Sequence, residues 1–228
     1  MFSYQYRWDV IPANLGFLLT GLQMTLLISV VTLILAAIGG LVIASLDMSK
    51  FWPARAVGLT FGEVIRNTPI LVQLLWIYYV LPMAFNVAIS SFAALVIGLT
   101  VYSSAFISEI YRSGIQAVPK GHKEAALVLG LSPLQTFRRI VLPQAIRITL
   151  PALASNFVQL IKYSSFGSVI SVSEITRRGT ELSDDLSSAG NLHVHSGRLF
   201  SDLLAARDGG SHLGATPGSS LNSHFSLE

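Results

Sequence analysis

Long uncharged segments dominate the pattern of apolar and polar positions along this chain. Residues 10–46 and 67–108 contain no Asp, Glu, Lys or Arg. A membrane-spanning helix needs about 20 apolar residues, so the first segment predicts one span, residues 18–46, and the second predicts two. The break between those two falls in residues 82–91, which contain a proline, an asparagine and two serines. The first segment is also too long for the apolar part of a secretory signal.

A fourth apolar segment, residues 148–173, contains Lys162. A lysine at the centre of a membrane helix costs about 2.5–3.5 kcal/mol on insertion scales, so this side chain has to face protein, water or the membrane interface. Two interpretations are open: the lysine extends to the interface from a helix end, or it lines a polar path for a solute. The whole pattern predicts an all-α integral membrane protein, a polytopic helical bundle of about four spans.

Composition supports a membrane protein and excludes several other classes. The chain is 52% hydrophobic and 12% charged, whereas a soluble domain carries about 25% charged residues. It has no cysteine, which excludes disulfides and thiolate chemistry. It lacks the G-x-x-x-x-G-K-[ST] phosphate loop, so it cannot hydrolyse ATP by that route alone. His193 and His195 form a close pair without an obvious third ligand, and no metal site is predicted.

The distribution of lysine and arginine predicts the orientation in the membrane. Lys50 and Arg55 come after the first span, and six cations come after the third: Arg112, Lys120, Lys123, Arg138, Arg139 and Arg147. None lies between the second and third spans. Cytoplasmic loops carry the excess of positive charge, so the N-terminus, residues 1–16, is predicted outside. Arg177 and Arg178, after the fourth span, fit this rule poorly. The net charge reflects topology, and no nucleic-acid partner is predicted.

The basic loop at residues 119–143 has the signals of two capped helices. Pro119 suits the first turn of a helix, and residues 124–129 are mostly good helix formers. Gly130 stands where a left-handed residue would end that helix. An N-cap, a helix-opening proline and a capping-box glutamine come next: Ser132, Pro133 and Gln135. We therefore expect two short helices and a sharp turn, on which a partner protein could dock; the alternative is an amphipathic loop lying on the bilayer.

The same loop carries a resemblance to a known family. The pattern E-A-A-x-x-x-G-x₉-I-x-L-P is matched at every fixed position: Glu124, Ala125, Ala126, Gly130, Ile140, Leu142 and Pro143. It resembles the EAA loop of the membrane permease subunits of bacterial ABC importers. The stretches RNTPILVQL (residues 66–74) and SEIYRSGIQAVPKG (residues 108–121) resemble the polar-amino-acid branch, and IKYSSF (residues 161–166) is a weaker match. The resemblance extends over residues 14–183.

The resemblance implies a fold, a mechanism and partners. The fold would be the type I ABC importer permease bundle, with residues 17–183 as the transmembrane domain. Two permease subunits, identical or different, would form the pore, two cytoplasmic ATPases would bind beneath it, and an extracytoplasmic amino-acid-binding protein would deliver the solute. ATP and Mg would bind to the ATPase, so this chain would be a non-catalytic, multi-pass subunit of the bacterial inner membrane.

The resemblance also implies roles for residues of the loop. Glu124 would fix the loop through charge or capping, Ala125 and Ala126 would allow close approach of the ATPase, and Gly130 would permit the turn. For the solute path, the polar residues of the fourth span are the candidates, together with a carboxylate at the end of the third: Asn156, Gln159, Lys162 and Glu109. Glu109 either pairs with Arg112, three residues on, or meets a substrate ammonium. Gln23 and Gln73 are further lone polar candidates.

The end of the chain departs from the family pattern. Residues 184–228 contain no apolar run long enough for the fifth span that family members have. Their composition predicts a disordered tail. It is interpreted as a frameshifted or misassembled coding end, or as a native tail. Two alternatives to a working ABC permease remain: a truncated, inactive permease, or a channel or secondary transporter without an ATPase.

Overall fold

The computed structural model describes residues 10–185. The chain separates into two compact units, Met1–Thr180 and Glu181–Glu228. In the second unit only residues 181–185 are described, and they are helical. The helices α1 to α9 belong to the first unit. The predictions for the tail beyond residue 185, for the missing fifth span and for His193 and His195 lie outside the described residues.

The first predicted span is confirmed as the helix α2, Leu15–Asp47, which comes after a single turn, α1, at Val10–Ala13. At 1.5 Å per residue its 33 residues extend over about 50 Å, well beyond the roughly 30 Å of a bilayer core. Large apolar side chains point outward along its length. Small residues line its buried face: Gly21, Thr25, Ser29, Thr32, Ala36 and Gly40.

The third predicted span, α6 at Ser91–Gln116, packs along this small-residue face of α2. A Cβ atom added to Gly40 would lie 2.7 Å from the Ile107 side chain, so the two backbones approach as closely as glycine allows. Close packing of this kind holds helices together in lipid, where apolar surfaces gain little from association. Side chains from α2, α6 and their neighbours form the core: Ile28, Leu74, Leu95, Leu99, Leu160 and Ile170.

A helix that the sequence did not predict lies between the first two spans. α3, Trp52–Arg66, has Pro53 in its first turn and occupies what was expected to be a loop. Two glycines within this helix lower its intrinsic propensity, so the local sequence gives little support to a helix here. Both glycines are buried, and a Cβ atom on Gly58 would overlap the carboxylate of Asp47 at the end of α2. Packing against α2 therefore stabilises a helix that local sequence does not favour.

The second predicted span is short and bent. It consists of α4 (Ile70–Leu75), a π-helical segment (Trp76–Val80) and α5 (Leu81–Phe85). α3 meets this segment at an angle of 101°. The helical path ends at Asn86, whose φ of 52° is left-handed, and this confirms the predicted break in residues 82–91.

The fourth predicted span is helical but more polar than expected. α9, Leu142–Ser164, and a 3-10 segment, Ser165–Ile170, cover most of it. Within residues 10–185 only α2 and α6 are long and apolar enough to cross a membrane, or three spans if α3 and residues 70–85 form one bent span. α9 does not meet this criterion because it is polar, containing Arg147, Asn156, Gln159 and Lys162.

A buried carboxylate, Glu174, fixes the end of the first unit to α2. Glu174 is fully buried, and its two oxygens accept the backbone N–H groups of Thr176 and Arg177 at 2.8 Å each. It thus caps α10, the helix at residues 175–185. The hydroxyl of Thr25 in α2 accepts the N–H of Ile175 at 3.2 Å. Sequence reasoning missed Glu174, because a lone carboxylate after an apolar segment gives no sign that it is buried.

The same region explains the two arginines that fit the charge rule poorly. Arg177 donates to the carbonyl of Ser168 at 3.3 Å, and the guanidinium of Arg178 lies 4.4 Å from the centroid of the Phe17 ring. Both cations are engaged with the protein. Their charge therefore serves local packing.

Candidate coupling hairpin and solute path

The EAA sequence lies on α7, Lys120–Val128. Pro119 is its N-cap residue, so the predicted position inside the first turn is wrong by one residue. Glu124 is exposed and makes no hydrogen bond or ion pair with the described part of the chain. The two alanines differ: Ala126 is fully buried against its own chain, whereas Ala125 is exposed. Glu124 and Ala125 are therefore open to a partner.

The turn after α7 is a Schellman motif built on Gly130. Its φ of 77° confirms the predicted left-handed conformation. The N–H of Gly130 donates to the carbonyl of Leu127 at 3.0 Å, and the N–H of Leu131 donates to the carbonyl of Ala126 at 3.0 Å. These two bonds satisfy carbonyls that the helix end leaves unpaired.

The predicted start signal of the next helix is also confirmed. The hydroxyl of Ser132 accepts the N–H of Gln135 at 3.3 Å, and the side-chain oxygen of Gln135 accepts the N–H of Ser132 at 2.9 Å. This reciprocal pair is a capping box. Pro133 occupies the first helical position, where its missing N–H has no cost. Residues 119–136 therefore form a rigid hairpin, which we call the coupling hairpin.

The second helix of the hairpin continues into the bundle. α8, Pro133–Thr136, passes through a π-helical segment, Phe137–Val141, directly into α9. The prediction of two short helices is thus right for the first and wrong for the second. Pro143 supplies the reason: it lacks an N–H and its ring would clash with the carbonyl four residues earlier. The wider π turn, in which Leu142 donates to the carbonyl of Phe137, accommodates it without ending the helix.

An apolar surface surrounds the hairpin turn. Val128 is 87% exposed and Leu129 is 78% exposed, with Leu127 and Leu134 beside them. A cleft of about 350 Å³ opens next to this surface, and Lys123, Leu127, Pro133 and Phe137 contribute to its walls. Exposed apolar patches mark contact surfaces for other proteins or for a membrane.

One side-chain contact joins the first hairpin helix to α9. Nδ1 of His122 lies 2.9 Å from Oε1 of Gln144, and the Nε2 of Gln144 donates to the carbonyl of Ile140 at 2.8 Å. His122 stands two residues before Glu124, and Gln144 comes directly after the I-x-L-P pattern. Sequence reasoning missed this contact because the two residues are 22 positions apart and belong to different helices.

Glu109 is engaged in the predicted ion pair. Nε of Arg112 donates to one carboxylate oxygen of Glu109 at 3.0 Å, and Nη2 donates to the other. Both side chains remain partly exposed. No hydrogen bond or ion pair within residues 10–185 joins Glu109 to the polar residues of α9, so the role of the four candidates in one path stays a prediction.

The three candidates on α9 form a polar stripe. Gln159 and Lys162 are exposed, and Asn156 is half-buried with its Oδ1 atom buried and unpaired among the described residues. Polar side chains on the outside of a membrane helix face protein or a water-filled cavity. The stripe is therefore compatible with a solute path or with a second subunit.

The two lone glutamines differ in role. The Nε2 atom of Gln73 donates to the carbonyls of Ile65 and Thr68, at 2.9 Å each, and so stabilises the bend between α3 and α4. Gln23 is exposed on α2. No group of three or more His, Asp or Glu side chains in residues 10–185 is placed to hold a metal ion.

Comparison with known proteins identifies the class. Residues 36–185 match the family described as the binding-protein-dependent transport system inner membrane component. This is more than half of the chain, and the chain belongs to that family: it is a permease subunit of an ABC importer, a multi-pass protein of the inner membrane.

Among its relatives, the glutamine transport system permease protein of Escherichia coli (strain K12) is 42% identical over 179 residues, 78% of this chain and 82% of that protein. The L-cystine transport system permease protein of Bacillus subtilis (strain 168) is 38% identical over 176 residues, 77% of this chain and 75% of that one. The arginine transport system permease protein of the same organism is 37% identical over 165 residues, 72% of this chain and 75% of that one.

Solved structures agree with the predicted fold. The crystal structure of an amino acid ABC transporter with histidines matches with a TM-score of 0.76 and 34% identity, over 89% of this chain and 98% of that one. An inward-facing form of the MetNI methionine ABC transporter has the same fold, with a TM-score of 0.62 at 18% identity over 86% of this chain and 97% of that one. The predicted all-α type I permease bundle is confirmed.

Proposed function

We propose that this chain imports polar amino acids as the permease subunit of an ATP-driven complex, and that the coupling hairpin receives the motion of a separate ATPase. The observation that carries this proposal is the continuous helical path from the Ser132 cap through the π segment to the end of α9. A displacement of the hairpin turn is thereby transmitted to a helix of the membrane bundle, because a helix is stiff along its axis.

Different residues of the hairpin would have different roles in docking to the ATPase. The apolar side chains around the turn would enter a groove on the ATPase, and the exposed Ala125 would let the two surfaces approach closely. The free carboxylate of Glu124 would pair with a cation or backbone N–H groups of that groove. Ala126 would keep α7 against its own chain, and Gly130 would hold the turn in shape.

The transport cycle would be a two-state equilibrium. Closure of the ATPase pair on ATP and Mg would draw the hairpins together and bias the permease toward one of its inward-open and outward-open states. Hydrolysis would belong to the ATPase, so this chain would contribute no catalytic group and bind no cofactor itself.

The cargo is proposed from the relatives and from the polar residues of the path. The three relatives transport glutamine, cystine and arginine by their names. Lys162 would offer its ammonium to a substrate carboxylate, Glu109 its carboxylate to a substrate ammonium, and Asn156 and Gln159 neutral hydrogen bonds. Such a path would favour a zwitterionic, polar solute over an apolar one.

The assembly would contain a second permease, identical to this one or different, an ABC ATPase, an extracytoplasmic amino-acid-binding protein and surrounding lipid. Residues 17–183 would form the permease domain, with residues 1–16 outside the cell and residues 184–228 as a separate tail. No nucleic acid would be involved.

Reconstitution tests this function directly. The full chain, co-purified with its ATPase and partner permease, is placed in liposomes with the binding protein outside, and uptake of radiolabelled glutamine, cystine and arginine is measured. We expect uptake of at least one of them that requires ATP. Uptake without the ATPase would indicate a channel or secondary transporter, and a complex that assembles but transports none would indicate an inactive permease.

Cysteine labelling tests the orientation, since the natural chain has no cysteine. A membrane-impermeant reagent should label Asn86→Cys in intact cells and should leave Gly121→Cys unlabelled until the membrane is opened. The reverse pattern would place the hairpin outside and would remove the ATPase from the proposal.

A further inference from the structure

A polar cleft of about 270 Å³ lies where the end of α2 meets the start of α3 and the last turns of α6. Its lining includes Asp47, Arg55, Leu59, Arg112 and Gln116. Its charged groups come from three different helices, and none of them belongs to the coupling hairpin or to the polar stripe of α9. The proposed transport function leaves this cleft unused.

Asp47 is the unusual member of the cleft. It is only 7% exposed, and neither of its carboxylate oxygens accepts a hydrogen bond from the described residues. Gly58 presses against one oxygen from the side of α3. Burying a carboxylate without a hydrogen-bonding partner is costly. A donor from outside the chain, placed in the cleft, would offset that cost.

The same cleft contains a cation, Arg55, whose donors are not used by any residue from 10 to 185. Arg55 is exposed and makes no ion pair or hydrogen bond with residues 10–185. Arg112, by contrast, already holds Glu109 through two of its nitrogens. Asp47 thus accepts no hydrogen bond from residues 10–185, although the positive charges of Arg112, Arg66 and Arg55 act on it. The guanidinium of Arg55 makes no hydrogen bond or ion pair with these residues. The complementary ligand carries a primary ammonium next to an anionic group.

Exposed residues between the end of α2 and Arg55 indicate where such a ligand comes from. Trp52 is 77% exposed and Phe51 is 67% exposed, shortly after the end of α2 and before Arg55. Exposed tryptophan at the end of a membrane helix lies at headgroup depth. Met48 and Leu59 add exposed apolar surface to the wall of the cleft, which suits acyl chains better than a freely soluble molecule.

We propose that this cleft binds the headgroup of a phosphatidylethanolamine-type lipid. The ammonium donates hydrogen bonds to Asp47, and the phosphate accepts them from Arg55. Because Asp47 ends α2 and Arg55 lies on α3, the bound lipid joins these two helices at the membrane surface. A free amino acid or free phosphoethanolamine has the same pair of charges, and the experiment separates these sources.

The test uses the full chain, purified in complex with its ATPase, stripped of lipid and titrated in detergent. Native mass spectrometry measures the bound fraction for phosphatidylethanolamine, phosphatidylglycerol and phosphatidylcholine with identical chains. Phosphatidylglycerol lacks the cation, and the choline group has no N–H to donate. We expect the ethanolamine lipid to bind about tenfold more tightly than either. Equal binding of the three lipids overturns the proposal.

Variants locate the site. Arg55→Gln and Asp47→Asn should each remove this preference, whereas Lys50→Gln, an exposed cation outside the cleft, should keep it. Arg55→Gln and Lys50→Gln each remove one positive charge. A general electrostatic effect would therefore change the lipid preference of both variants alike, which would contradict the proposal. Since Arg55 is exposed, its variant remains informative if the buried Asp47→Asn fails to assemble.

Soluble competitors decide the source of the headgroup. Phosphoethanolamine and glutamine are added to the same delipidated complex. Weaker binding of both than of the lipid assigns the site to the membrane. Binding as tight as that of the lipid, abolished by Arg55→Gln, assigns the cleft to a cytoplasmic zwitterion and overturns the lipid as occupant.

Discussion

The α2–α6 pair is held together by close packing of small residues, whereas the coupling hairpin is shaped by backbone hydrogen bonds. Along α2 and α6, glycine and other small residues allow two backbones to meet, and the contact leaves little room for any added atom. In the hairpin, backbone hydrogen bonds at the Schellman turn and the capping box define the shape, while large apolar side chains remain exposed.

We therefore expect substitutions in the α2–α6 contact to change the stability of the bundle, and substitutions in the hairpin to change its coupling to the ATPase. Overpacking the α2–α6 contact should damage the fold as a whole, because both helices contribute to the core. A change in the hairpin should leave the bundle intact and alter what the hairpin contacts. Substitutions in the two regions test this division, beginning with the largest expected effect.

Gly40→Leu should strongly destabilise the bundle. The new Cβ atom alone would lie 2.7 Å from the Ile107 side chain and 3.1 Å from the backbone nitrogen of Ser108, which cannot move aside. We expect a loss of about 3 kcal/mol or more, measured by thermal unfolding in detergent. Gly16→Leu on the same helix is the control, since nothing lies within 4 Å of that position. Equal stability of the two variants would refute the close packing.

Gly130→Val should leave the bundle folded and uncouple ATP hydrolysis from uptake. A β-branched residue resists the φ of 77°, at a local cost of about 1–3 kcal/mol. The measurement is the number of ATP molecules hydrolysed per solute imported. Gly121→Val, where added atoms meet nothing within 4 Å and φ is not positive, serves as the control. Normal coupling in Gly130→Val would show that the turn has no such role.

Val128→Ser should weaken ATPase binding by about tenfold, corresponding to roughly 1.4 kcal/mol, without changing the unfolding temperature of the permease. The side chain is 87% exposed, so its removal costs the isolated chain almost nothing. The affinity is measured by titrating the ATPase onto immobilised permease. Val169→Ser, exposed in the 3-10 segment far along the chain, is the comparison; similar losses in both would argue against a hairpin docking surface.

Breaking the His122–Gln144 contact should have the smallest effect. A double-mutant cycle with His122→Ala and Gln144→Ala should give a coupling energy of about 0.5–1.5 kcal/mol in thermal unfolding. Gln144→Ala also loses its bond to the carbonyl of Ile140, so it should cost more than His122→Ala. Strictly additive effects of the two changes would mean that the contact does not form.

Local signals in the sequence were sufficient for several features of the molecule. The left-handed glycine, the capping box and the break near Asn86 each depend on residues within one turn, and each was predicted. The two π segments share such a local cause, since each is succeeded by a leucine and a proline, at Pro82 and Pro143. The two chain paths diverge after these prolines: one helix ends within a few residues, and the other continues as α9.

Features that depend on distant partners were missed. α3 was expected to be a loop. The close contact between Gly58 and Asp47 joins two different helices, so it becomes visible only in the folded structure. The N–H of Ile175, next to the buried Glu174, is bonded to the hydroxyl of Thr25, 150 positions away in the sequence. The candidate path residues were chosen by polarity and helical spacing, and no polar contact within residues 10–185 links Glu109 to the stripe on α9.

The sequence by itself determined that this protein is a helical membrane protein, and the EAA pattern determined its family, because both signals consist of residue types at short, fixed spacings. Only the tertiary structure decided that the coupling hairpin is continuous with α9, that α3 is a helix, and that Asp47 and Arg55 share a cleft. These outcomes depend on which surfaces meet in the folded bundle. The contacts that stabilise them join segments far apart in the sequence, and a local pattern of residues does not show which segments will meet.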